Sequence, residues 1–129
     1  MTMEQAQDRT TMQTDPRKPG AAGILGSQGI LLVLSHNLFG RSHVIAGPAT
    51  VVGRQEDSDF AIPDPLMSRR HFRVTVENGA FYVEDLGSTN GTTLNARKLE
   101  KRSRILYGDR LVAGGTILRF FVEEDVEKK

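Results

Sequence analysis

The chain has 129 residues, 38% of them apolar, with 17 lysines and arginines against 16 aspartates and glutamates, no cysteine and no tryptophan, a length that fits one domain plus a tail. Without cysteine there is no disulfide framework, thiolate zinc site or cysteine nucleophile, and His36, His43 and His71 lack metal-ligand spacing, so neither a metal nor another cofactor is expected. A net charge of +1 gives no whole-molecule attraction to nucleic acid or to an anionic membrane, and local placement must carry any charge-based function.

Residues 1–28 are polar, contain Pro16 and Pro19, and end in the glycine-rich stretch from Gly20 to Gly26; this composition predicts a flexible tail. The longest apolar stretch, Gly29 to Leu34, is far below the roughly 20 residues of a membrane span. Glu4 and Asp8 interrupt any apolar leader, so a cytoplasmic protein without membrane contact is expected. From there to residue 122 the pattern is β-rich: runs at 31–35, 43–46, 50–53, 60–62, 71–76, 80–84, 104–106, 110–112 and 116–122 are separated by Gly, Pro, Asn and Asp. Nine short runs at this spacing predict an all-β sandwich over residues 29–122. Phe72, Val74 and Val76 alternate with polar residues, as do Phe81 and Val83, the period of half-buried strands. Asn78-Gly79 between them predicts a tight hairpin, because both residues tolerate positive φ. Residues 123–129 form a charged extension whose composition allows a helix to begin.

Four segments at strand ends gather the unusual residues: Gly53-Arg54, Ser68-Arg69-Arg70-His71, Asp85 to Thr92, and Asn95. Arginine, hydroxyls, asparagine and glycines with open backbone N–H groups form the donor set for a phosphate group, which carries about −1.5 to −2 charges and three acceptor oxygens. Each residue also has a plainer reading. Arg54 would pair with Glu56 or Asp57 on the surface, Ser68 would cap the turn after Pro63-Asp64-Pro65, Asn90-Gly91 would be a hairpin turn, and Arg70 would be solvated.

Gly53-Arg54, Ser68-Arg69-Arg70-His71 and Leu86-Gly87-Ser88-Thr89-Asn90-Gly91-Thr92 together resemble the signature of bacterial forkhead-associated (FHA) domains, over roughly residues 31–122. The resemblance implies an eleven-stranded, two-sheet sandwich without catalytic activity, which binds phosphothreonine peptides through loops at one end. Two further strands, near Leu94 and Leu99, would complete that number. It also implies roles. Arg54 would pair with the phosphate, Ser68 would give it a hydroxyl hydrogen bond, and Arg69 would add its backbone N–H. Thr89 would line the phosphothreonine site and Asn90 would hold the peptide backbone, while Gly53 and His71 would support the site structurally. Leu66 and Met67, in a stretch that the family uses to read the third residue after the phosphothreonine, would favour an aliphatic residue there.

The expected partners are phosphothreonine-containing proteins and a Ser/Thr protein kinase. Thr10 and Thr11 are candidate tail phosphorylation sites, which would make the chain's own tail a further ligand; a passive tail is the alternative. The module would stand alone or precede another domain, such as a diguanylate cyclase. Two rival classes use other residues. A hydrolase would need Ser68, His71 and Asp85 as a triad, although Ser68 lacks a nucleophile-elbow setting. A nucleic-acid binder would use Arg97, Lys98, Lys101, Arg102 and Arg104, which have no interleaved aromatic residue for base stacking.

Overall fold

The computed structural model describes residues 28–122. Residues 1–27 of the expected tail, with Thr10 and Thr11, and the charged extension 123–129 lie outside them. Eleven strands form two sheets. The first, six-stranded sheet contains β1 (Gly29–Val33), β2 (Ser42–Ile45), β7 (Thr92–Leu94), β8 (Arg97–Lys98), β10 (Arg110–Ala113) and β11 (Thr116–Val122), in the order β2-β1-β11-β10-β7-β8. The second, five-stranded sheet contains β3 (Ala49–Gly53), β4 (Phe60–Ala61), β5 (Phe72–Glu77), β6 (Ala80–Asp85) and β9 (Ser103–Ile105), in the order β4-β3-β5-β6-β9. This is the all-β sandwich that the sequence predicts. Among the described residues, the only helical turn is the short 3-10 segment His36–Leu38.

Alternation produces the core. Phe72 and Val74 of β5, and Phe81 and Val83 of β6, are buried on the side facing the first sheet, while Arg73, Thr75, Tyr82 and Glu84 point outward. Leu31, Val33, Leu111, Leu118 and Phe120 answer from the first sheet, and Phe81 meets Phe120 across the sandwich with ring centroids 5.1 Å apart. The β5–β6 hairpin turns through Asn78 at φ 51° and Gly79 at φ 79°, with Glu77 paired to Ala80, the two-residue geometry expected of Asn-Gly.

Boundaries differ from the sequence reading where tertiary contacts decide them. The first strand begins at Gly29 and ends at Val33, not Ser35, because the Ser35 hydroxyl accepts the Ile117 N–H at 3.1 Å where the 3-10 turn starts. The two additional strands are β7 and β8, joined through Asn95 (φ 50°) and Ala96 (φ 71°). Alanine at positive φ carries no local turn signal. Leu99 follows β8 and is buried in the core.

Candidate phosphate-binding site

Register sets the site. Val52 of β3 lies opposite Phe72 of β5, and Phe72 lies opposite Asp85 of β6. The chain therefore leaves β3, enters β5 and leaves β6 at one end of the sheet, which brings residues 53–55, 63–71 and 86–91 together. Backbone bonds extend the pairing beyond the strands: Arg54 N–H donates to Ser68 O at 3.0 Å, Gln55 N–H to Arg69 O at 3.1 Å and His71 N–H to Val52 O at 2.8 Å. This approach requires glycine at 53, since a Cβ there would collide with the carbonyl oxygen of Arg69 and stand 2.8 Å from the Arg70 Cα.

Arg54 is exposed and its Nε–H donates to the Met67 carbonyl at 3.0 Å. That bond occupies Nε and leaves the two terminal guanidinium nitrogens without a partner among the described residues, a fork of the kind suited to a bidentate anion. Among the described residues Arg54 has no ion pair with Glu56 or Asp57; Asp57 instead lies 3.9 Å from Arg70. The Ser68 hydroxyl accepts the Thr89 N–H at 3.0 Å, and because a hydroxyl both donates and accepts, its proton is left to donate. Arg69 is exposed, and among the described residues its backbone N–H has no acceptor.

His71 is fully buried. Its Nδ1 accepts the Ser68 N–H at 3.0 Å, and its Nε2 lies 2.8 Å from the Gly91 carbonyl. An Nδ1 that accepts places the ring proton on Nε2, which donates to Gly91. The imidazole thus ties the Ser68 loop to the 86–91 loop. Asn90 Nδ2 donates to Leu66 O at 2.9 Å, a second tie between the same loops. The residue expected to hold peptide backbone thus uses one of its two amide hydrogens, and its second N–H and its Oδ1 remain.

Two carboxylates shape the loops; from sequence Asp64 has only a place in the Pro63-Asp64-Pro65 turn and Asp85 only a role in the rival hydrolase triad. Asp85 accepts the Ser88 N–H at 2.8 Å, the Ser88 hydroxyl and the Thr92 hydroxyl. Asp64, 5% exposed, accepts the Leu66 N–H at 2.9 Å, the Gly115 N–H at 2.7 Å and the Thr116 hydroxyl at 2.7 Å. Burial works to raise both acids, but the donated hydrogen bonds outweigh it and hold both below their ordinary value of 3.8. Asp64 between two prolines is the Asx-turn pattern that would have marked it, whereas Asp85 bonds Ser88 three residues on.

Several residues singled out in the sequence fall elsewhere. Asn95 lies beyond β7, where it donates to Asp109 and accepts the Arg110 N–H, each at 2.9 Å; its amide closes the β7–β10 pairing rather than joining the site. Met67 is buried at 1% exposure while Leu66 is 58% exposed, so Leu66 alone of that pair is available to a ligand. Ser68, His71 and Asp85 do not form a triad: neither ring nitrogen of His71 is bonded to the Ser68 hydroxyl, and Asp85 is occupied by Ser88 and Thr92. Arg102 of the basic run lies 4.1 Å over the Tyr82 ring and 3.0 Å from Glu77, within the outer surface of the second sheet. Among the described residues no helix is long and apolar enough to cross a membrane.

The fold and site define a class: a two-sheet β-sandwich with arginine, serine, threonine and asparagine collected in the loops at one end. The family model described as the FHA domain matches residues 50–114. The FHA domain-containing protein FhaB of Mycobacterium tuberculosis is 34% identical over 88 residues, which are 68% of this chain and 57% of that protein, so the chain spans little more than half of that relative. The oxoglutarate dehydrogenase inhibitor of Corynebacterium glutamicum is 32% identical over 101 residues, 78% of this chain and 70% of that protein. A solved structure from work on phosphothreonine-dependent FHA domain interactions aligns with a TM-score of 0.70 at 26% identity, covering 76% of this chain and 99% of that one. The chain belongs to the FHA-domain family.

Proposed function

We propose that residues 29–122 form a phosphothreonine-dependent protein-binding module serving Ser/Thr-kinase signalling, which recruits phosphoproteins and performs no chemistry of its own. The observation that carries this reading is the pairing of Arg54 with the Ser68 loop: Arg54 N–H bonds the Ser68 carbonyl at 3.0 Å and Arg54 Nε is anchored on Met67 O at 3.0 Å, which ties its free fork to the loop that carries the Ser68 hydroxyl and the open Arg69 N–H. A charged fork, a hydroxyl and a backbone N–H suit the oxygens of one phosphate. Thr89, tethered to Ser68 through its own N–H, then borders the phosphorylated residue, with Asn90 beside it. Sandwich loops on a rigid sheet are well placed for such recognition.

The test is calorimetry on the full chain with peptides selected from a phosphothreonine library, each compared with its phosphoserine twin. Phosphothreonine is expected to bind tighter by about 10- to 200-fold, the discrimination that one methyl in a close-fitting pocket provides. Equal affinity for the twins overturns the threonine assignment, and failure of every phosphopeptide overturns the phosphate site.

A further inference from the structure

The two sheets present different outer faces. On the five-stranded sheet the outward positions, Val51 apart, are mostly polar and several are paired: Arg73 lies 3.0 Å from Glu84, and Arg102 lies 3.0 Å from Glu77. That is the ordinary arrangement for an antiparallel sheet with one solvated face. On the six-stranded sheet Ser42, Thr93 and Lys98 also point outward, but Ile30, Leu32, Val44, Val112, Ile117 and Phe121 form an apolar band among them. Register sets them side by side, with Ile30 between Val44 and Phe121, and Val112 opposite Ile117. Tyr107, 61% exposed, extends the band by packing edge-on against Phe121 at 5.4 Å between centroids.

Within this apolar face, Arg110 and Arg119 lie directly opposite each other on β10 and β11, both exposed, and Arg119 is flanked on its other side by Leu32. Like charges directly opposite are unfavourable in a sheet. Among the described residues neither arginine has a carboxylate within ion-pair distance. Arg119 is also positioned, its Nε–H donating to Gly108 O at 2.9 Å. An apolar band around two aligned and unbalanced arginines is complementary to aliphatic side chains interspersed with carboxylates. A second copy packed through the same face would place four arginines together, and three cations, Arg110, Arg119 and Lys98, are few for an anionic membrane surface.

We propose that the outer face of the six-stranded sheet is a docking surface for an amphipathic protein segment that carries acidic residues among aliphatic ones. Its carboxylates meet Arg110 and Arg119, and its aliphatic side chains cover the band from Val44 to Val112. The face begins beside the phosphate-site loops, since Thr116, one residue before Ile117, bonds Asp64. At about 3.3 Å per residue, Arg119 is roughly 13 Å along the strand from Gly115, so one partner can span both surfaces.

The experiment titrates the isotopically labelled full chain with an unphosphorylated synthetic peptide of Leu-Glu-Glu-Leu repeats, and separately with its lysine-for-glutamate counterpart, following backbone amide resonances. The glutamate peptide is expected to shift outward residues of β1, β10 and β11. The double variant Arg110→Glu/Arg119→Glu should lose about tenfold in affinity for it, the sum of two exposed ion pairs, and should gain affinity for the lysine peptide. Neither arginine belongs to the phosphate-binding loops, so the result is independent of whether phosphothreonine binds. Absence of outer-face shifts, or an equal response to both peptides, overturns the proposal. It is equally overturned if the double reversal abolishes a concentration-dependent dimer, if the face instead sediments with phosphatidylserine vesicles, or if deleting residues 123–129 moves the same resonances without peptide.

Discussion

The buried ring of His71 accepts the backbone N–H of Ser68 at 3.0 Å through Nδ1 and reaches the Gly91 carbonyl at 2.8 Å through Nε2. One side chain therefore satisfies a donor from one loop and an acceptor from another, and fixes the distance between them. His71→Ala removes a buried ring and strands both groups. Each stranded group costs about 1–3 kcal/mol, so the variant should melt well below the wild type in a thermal scan, and the Ser68 amide, which loses its acceptor, should exchange faster with deuterium.

Arg54→Ala should leave the melting temperature nearly unchanged, since the side chain is exposed, yet weaken phosphothreonine-peptide binding several hundredfold. The loss of two charge-assisted contacts at about 1.5–3 kcal/mol each sets that scale. Ser68→Ala should weaken binding by roughly 10- to 150-fold on the same reasoning for one contact, and it also frees the Thr89 N–H. Calorimetry with one reference phosphopeptide decides both; wild-type affinity for Arg54→Ala would relocate the site.

Leu66 is exposed beside the β10–β11 turn, where a Cβ at Gly115 would lie 3.6 Å from its Cδ1. An aliphatic residue three positions after the phosphothreonine should be preferred over aspartate there. Leu66→Lys should reverse the order in a positional peptide library, by about tenfold or more in each direction, the scale of an apolar contact exchanged for a charge pair. A library that selects aspartate with the wild type counts against this contact.

Asp64 and Asp85 are held below 3.8 in the folded chain by donated hydrogen bonds. A carboxylate with a depressed folded pKa contributes stability that is fully present above its unfolded value and lost as pH falls through the folded one. Stability should therefore be flat with respect to these two groups above about pH 5 and fall steeply below about pH 4. Asp64→Asn and Asp85→Asn should each lower stability at neutral pH and flatten the acid limb, as measured by urea unfolding across the pH range. An acid limb unchanged in both variants would assign the transition to other groups.

The order of elements and the residues of the candidate site were legible in the sequence because both are written in local patterns. The alternation through Phe72–Val76 and Phe81–Val83, with Asn78-Gly79 between, defines a hairpin from neighbouring residues alone. Arg54, Ser68, Thr89 and Asn90 declare a phosphate-donor set by residue type and by resemblance. The short strands β7 and β8 were less legible, because each has only two or three residues and their turn uses Ala96 at φ 71°.

Only the tertiary structure decided which groups the donor set stands on. It aligned Val52, Phe72 and Asp85 across three strands, buried Met67 while exposing Leu66, and sent Asp64 to Gly115 and Thr116 across more than fifty residues of chain. It also carried Asn95 away from the loops it follows in sequence. Turn and strand propensities act over a few residues, whereas a buried polar group takes its partner from whatever the sandwich brings within about 3 Å.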